Sequence, residues 1–125
     1  MHQTRTVVIL SSILLICVIA LYFGAQWLRR ELVDRPYAAN VKQQLRTLAA
    51  AEELHRRDSL SYTNDLTRVW QPSSETHGVQ LRIVRATKDG LLAEGRHSTW
   101  TGRCVMALGA QANDSLPSGE PMCKP

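Results

Sequence analysis

Four histidines, three cysteines and a scatter of carboxylates are the groups in this chain with chemical potential. A zinc site wants His and Cys ligands in paired spacings such as Cys-x-x-Cys or His-x-x-x-His. His2, His55, His77 and His97 share no such spacing, and neither motif occurs. A nucleophile needs a base in reach and a third group to orient the base. His97 and Cys104 offer the first two without the third. Asp58, Asp65 and Glu75 fall in a Ser/Thr/Asn-rich stretch. Carboxylates there cap turns or sit in water, and their spacing is not that of an EF-hand. The glycines are isolated, so no phosphate-cradling loop is expected, and Cys-x-x-Cys-His is absent, so no covalent c-type haem site is expected. Asn113-Asp114-Ser115 fits a glycosylation acceptor, a pattern short enough to arise by chance. The expectation is a non-enzyme: no catalytic residue, no metal, no cofactor.

The cysteines carry the sharper signal. Cys104 and Cys123 both fall near the C-terminal end. Paired, they close a loop of about 20 residues, worth about 3 kcal/mol in the chain-entropy treatment. A bridge would need an oxidising compartment. The plainer alternative is two unrelated free thiols, since spacing alone does not establish pairing. Cys17 stands in an apolar run, where a thiol behaves as a small apolar group.

That run, Val7 to Leu28, is the element everything else hangs from. It reads VVILSSILLICVIALYFGAQWL, without a charge, and ends at Arg29 and Arg30. At about 1.5 Å per residue it covers about 33 Å, enough to cross the hydrocarbon of a bilayer. Ser11 and Ser12 can bond back to a carbonyl one turn earlier. Tyr22, Trp27, Arg29 and Arg30 lie at one end, as membrane-interface anchors do. The run is longer than the apolar part of a typical signal peptide and no small-x-small site follows it. No side of it is polar, which argues against a buried core helix. The expected organisation is a tail over 1–6, a transmembrane helix over 7–28 and one small domain over 29–125. Net charge is +4 with acids interspersed among the arginines, and aromatics are 6%. Nucleic acid calls for a denser basic patch with stacking rings, so no nucleic-acid partner is expected.

Beyond the span, Val33, Tyr37, Val41, Leu45 and Leu48 recur at steps of four and three, one stripe of a helix that would pack on a sheet. Glu31–Arg35, Glu52–Arg56 and Glu53–Arg57 are acid-before-base pairs at i,i+4, predicted to lie on its exposed side. Pro36 removes one helical hydrogen bond and crowds the carbonyl of Leu32. With no turn residues nearby, a kinked continuous helix to about Arg57 is expected. Residues 58–75 read as a loop, with Thr63 or Asn64 capping a short helical turn and Tyr62, Leu66, Val69 and Trp70 anchoring it. From Gly78 the period becomes two. A strand over Val79–Ile83, an Asp89-Gly90 hairpin with positive φ, a return strand over Leu91–Arg96, a connection over 97–102 and a third strand over Arg103–Leu108 follow. The tail beyond Gly109 is loop-like unless Cys123 ties it back. The fold class is α+β, a long N-terminal helix packed on a small antiparallel sheet.

This arrangement resembles the type IV pilins and pseudopilins: a membrane helix continuing into an amphipathic half, a loop, an antiparallel sheet and a terminal Cys pair. Leu45 to Trp70, LRTLAAAEELHRRDSLSYTNDLTRVW, is similar to the stretch where pilin-like proteins leave the long helix. An Ala-rich turn with a Glu precedes a Tyr-Thr-x-x-Leu loop, here Tyr62 to Leu66, and Gly78-Val79 opens the sheet. The family's Gly-Phe processing site and the Glu that guides filament assembly have no counterpart, since Thr6 to Leu28 contains no acid. The resemblance therefore implies a pilin fold without the polymerisation signal. It also implies a domain outside the cytoplasmic membrane, in the periplasm. Arg29, Arg30, Arg35, Lys42 and Arg46 against Arg5 argue the opposite by the positive-inside rule; the cysteine pair and the resemblance outweigh that count. The expected function is a non-catalytic, single-span accessory subunit of a larger membrane complex, respiratory or photosynthetic. Its partners would be the lipid bilayer and other membrane subunits, met through both the helix and the domain. A divergent minor pseudopilin and a membrane-tethered binding module are the alternatives.

Overall fold

The computed structural model describes residues 1–125 as two compact units, Met1–Val33 and Asp34–Pro125. The boundary falls five residues later than the end of the apolar run. The first unit is helix α1, His2–Arg29, followed by a wider π-helical turn over Arg30–Asp34. The N-terminal residues expected to form an unfolded tail are helical from His2 onward. The second unit opens with helix α2, Arg35–Ser59, and the backbone remains helical from His2 to Ser59. Pro36 occupies the first turn of α2. Its missing N–H and its ring are accommodated where the helix has just widened, so the helix continues without a turn.

The π turn also corrects the predicted stripe. Val33 lies within it, is 38% exposed and is not part of the domain core. A π turn holds more residues than an α turn, so the count of four from Val33 to Tyr37 no longer marks one side. From Tyr37 onward the periodicity holds. Val41, Leu45 and Leu48 are fully buried, and Tyr37 packs half-buried at the margin. Each buried leucine contributes about 1.5–3 kcal/mol relative to an exposed one.

These side chains meet a four-stranded antiparallel sheet in the order β1 (Val79–Ala86), β2 (Gly90–His97), β3 (Trp100–Gly109), β4 (Met122–Lys124). The sequence predicts three strands. The fourth is too short to carry a periodicity of its own and forms only by pairing with β3. The expected connection over 97–102 is also shorter. Ser98 and Thr99 make the turn, and Trp100 already pairs with His97. The first hairpin closes between Thr87 and Gly90, whose backbone N–H is accepted by the Thr87 hydroxyl at 3.0 Å. No positive φ occurs at Asp89 or Gly90, contrary to the Asp-Gly expectation. Gly90 is instead required by the chain passing beside it, because a Cβ there would meet the Gln111 backbone nitrogen at 2.9 Å.

The helix packs tightly on the sheet at Gly95. A Cβ on Gly95 would stand 2.6 Å from Val41 Cγ1 and 2.9 Å from Leu81 Cδ2. Leu81, Gly95, Cys104 and Cys123 form one cross-strand row on this inner side. Cys104 and Cys123 are bridged, 19 residues apart in sequence. The bridge holds β4 and the preceding tail, whose Pro121 is fully buried, against the sheet. Within that tail Asn113 Oδ1 accepts from the backbone of Ser115 and Leu116, both at 2.9 Å.

Two stability predictions follow from this packing. Gly95→Ala is expected to lower unfolding free energy by about 1–3 kcal/mol through overpacking. Adding Val41→Ala should restore part of that loss, and a urea-denaturation double-mutant cycle reads the coupling. Replacing both Cys104 and Cys123 by Ala is expected to cost about 3 kcal/mol, measured against the unreduced wild type.

Candidate functional site

The first unit offers an apolar surface and little else. No residue of α1 is buried, and the large side chains from Val7 to Leu28 all face outward. Its serines are satisfied internally: the Ser11 and Ser12 hydroxyls donate to the Val8 carbonyl at 2.9 and 2.8 Å. Gln26 donates to the Tyr22 hydroxyl at 3.4 Å. Tyr22 and Trp27 are 62% and 64% exposed, and Arg29 and Arg30 are exposed beside them. By length and composition this is one helix able to cross a membrane. Nothing on it is left to recognise water except the ends.

In the second unit the potential reactive groups are separated. His97 accepts the Thr99 N–H at Nδ1 (3.1 Å), which leaves its Nε2–H to donate to the His77 carbonyl (3.2 Å). Its ring lies 4.2 Å from that of Tyr37. Cys104 is engaged in the disulfide, so the two do not form a nucleophile pair. No three His, Cys, Asp or Glu side chains gather in a metal-binding group. Asp65, rather than Thr63 or Asn64, caps the short helix α3, Leu66–Val69. It accepts from the Thr67 hydroxyl at 2.6 Å and from the Thr67 N–H at 3.2 Å. The Thr67 hydroxyl, its backbone N–H and Arg68 hold the Asp65 carboxyl below its ordinary range. Thr63 serves one step earlier, its hydroxyl accepting from Asp65 N–H. Trp70 is pinned by donating to Gln44 Oε1 at 3.1 Å.

The densest polar construction is the junction where α2 meets the following loop. Glu52 sits on the buried side, one turn beyond Leu48, and is fully inaccessible. This overturns its assignment to an exposed Glu52–Arg56 pair. Its Oε2 accepts the Thr63 N–H at 3.0 Å, while its Oε1 is buried without a hydrogen-bond partner. Beside it Glu53 accepts from the Tyr62 hydroxyl at 2.6 Å. Arg56 stacks over the Tyr62 ring, 5.4 Å from its centre, and reaches the Lys88 carbonyl at 3.4 Å. Burial and donation to Glu53 push the Tyr62 phenol up to about 12. Burial likewise raises the Glu52 carboxyl, opposed by the Thr63 N–H and the nearby His55. These contacts fold the loop back onto the helix that precedes it. They present a hydrogen-bonded brace beside a shallow cavity lined by Arg56, Arg57, Leu60, Lys88 and Asp89.

The chain matches no protein-family model, and no curated protein is significantly similar to it in sequence.

The raised Glu52 carboxyl makes a signed prediction. The folded state holds this proton more tightly than the unfolded chain does. The associated stability is therefore full below the ordinary value of 4.5 and is lost as pH rises through the raised one. Relative to Glu52→Gln, the wild type should gain thermal stability as pH is lowered from about 8 to about 5. The variant should be the more stable at the upper end. Melting curves across that range check both statements.

Proposed function

We propose that this chain is a single-span membrane protein acting as a non-catalytic accessory subunit of a larger membrane complex, its domain a pilin-like fold on the periplasmic side. The observation that carries the reading is the pairing of two features. One is α1, exposed along its whole length and apolar from Val7 to Leu28. The other is a domain braced by the Cys104–Cys123 bridge, which an oxidising compartment would preserve. A helix with its serines satisfied and Gly24 exposed can approach lipid or another helix closely. The order of long helix, Tyr62–Leu66 loop and antiparallel sheet supports the pilin-like assignment. The absence of any acid between Thr6 and Leu28 weighs against filament assembly.

The test is purification of the full chain from its native membranes in mild detergent. A fixed set of co-purifying membrane subunits and a mature N-terminus that retains the apolar helix are expected. A reporter enzyme active only in the periplasm, fused after Pro125, should be active. An N-methylated mature chain lacking its first residues, recovered with pilus or secretion components, would replace this reading with a minor pseudopilin. A reporter active only in the cytoplasm would reverse the orientation.

A further inference from the structure

The register that packs the core on one side of the sheet aligns cations on the other. Gln80 on β1 lies opposite Arg96 on β2, Arg96 opposite Arg103 on β3, and Arg103 opposite Lys124 on β4. With strands about 4.8 Å apart, three neighbouring cations stand in a line about 10 Å long. All three are exposed. Like charges directly opposite one another on adjacent strands destabilise a sheet. None of the three has an ion-pair partner within the chain. The one acid within the four strands, Glu94, is held by Arg82 at 2.8 Å. Past the β1 bulge, Arg85 lies opposite Leu92 and joins the same side. Beside the cation row run half-buried Val105 and Met122, the latter 46% exposed.

We infer that this outer sheet face docks onto a carboxylate-rich surface of a partner protein, with Arg96, Arg103 and Lys124 receiving the carboxylates. The inference rests on the accessory-subunit reading and names the chemistry of the partner. Charge complementarity selects an acidic surface. The planar arginine forks suit bidentate carboxylates. Apolar side chains interleaved with arginines are the composition of a protein interface, where Arg and Met are enriched. A lipid headgroup layer would answer the charge but leave Val105 and Met122 unmatched.

The full chain, held in discs of zwitterionic lipid, is tested for binding a fluorescent Glu-rich peptide at low salt. Arg96→Glu with Arg103→Glu is compared with Arg46→Glu and Arg57→Glu, an equal charge change on exposed α2 positions. The row variant is expected to lose about tenfold or more in affinity and the α2 variant little. Equal losses in the two would overturn the proposal. So would absent peptide binding, or row-dependent binding to anionic vesicles in place of the peptide. Arg96→Gln with Arg103→Gln guards against misfolding: it should melt higher than wild type, by relief of the opposed charges, and still lose the peptide.

A photo-crosslinker in cells then separates this inference from the reading beneath it. Placed at Val105, it should capture an Asp/Glu-rich peptide of a membrane subunit, and placed at Leu14 it should capture that subunit's complex. Capture from Leu14 without capture from Val105 sinks the docking face and leaves the subunit reading standing. Capture from neither sinks both.

Discussion

The close approach of α2 to the sheet at Gly95 is the constraint on which the domain depends. Val41 occupies the space a side chain on Gly95 would need, so helix and sheet can bury their apolar sides against each other. A small sheet has one side to cover, and here a single amphipathic helix is the cover. The same cross-strand row carries the Cys104–Cys123 bridge. The terminal strand is thus fastened at the level where the helix bears on the sheet. A domain this small, with one modest core, gains from such a fastening.

Alternation along the strands links the two sides of the sheet. One residue away from the inner row Leu81–Gly95–Cys104–Cys123 lies the outer row Gln80–Arg96–Arg103–Lys124. A slip of one residue would exchange them and put cations in the core. Core packing therefore fixes where the cations stand. The chain holds them in a mutually repulsive line, a configuration folding alone does not favour.

Glu52 extends the buried stripe of α2 with a carboxylate in place of a leucine. Burying a carboxylate is unfavourable, and that burial raises the proton affinity of Glu52. In return Oε2 satisfies the Thr63 N–H at the point where the chain reverses. Glu53, Tyr62 and Arg56 close the same corner from outside. The loop is thereby committed to one path between the helix and β1.

The apolar run, the helical stripe from Tyr37 onward and the period-two strands were legible in the sequence because each is a local repetition of side-chain type. Their sum, an α+β fold of one long helix on an antiparallel sheet, follows from those repetitions. Pairing and phase were decided elsewhere. The three-residue β4 and the inward turn of Glu52 depend on partners distant in the chain, and the π turn that removes Val33 from the stripe breaks the repetition the stripe was read from. The basic row is the plainest case: Arg96, Arg103 and Lys124 are scattered among acids in sequence, and only strand register sets them side by side. Local periodicity states which way a side chain points; only tertiary contact states what it points at.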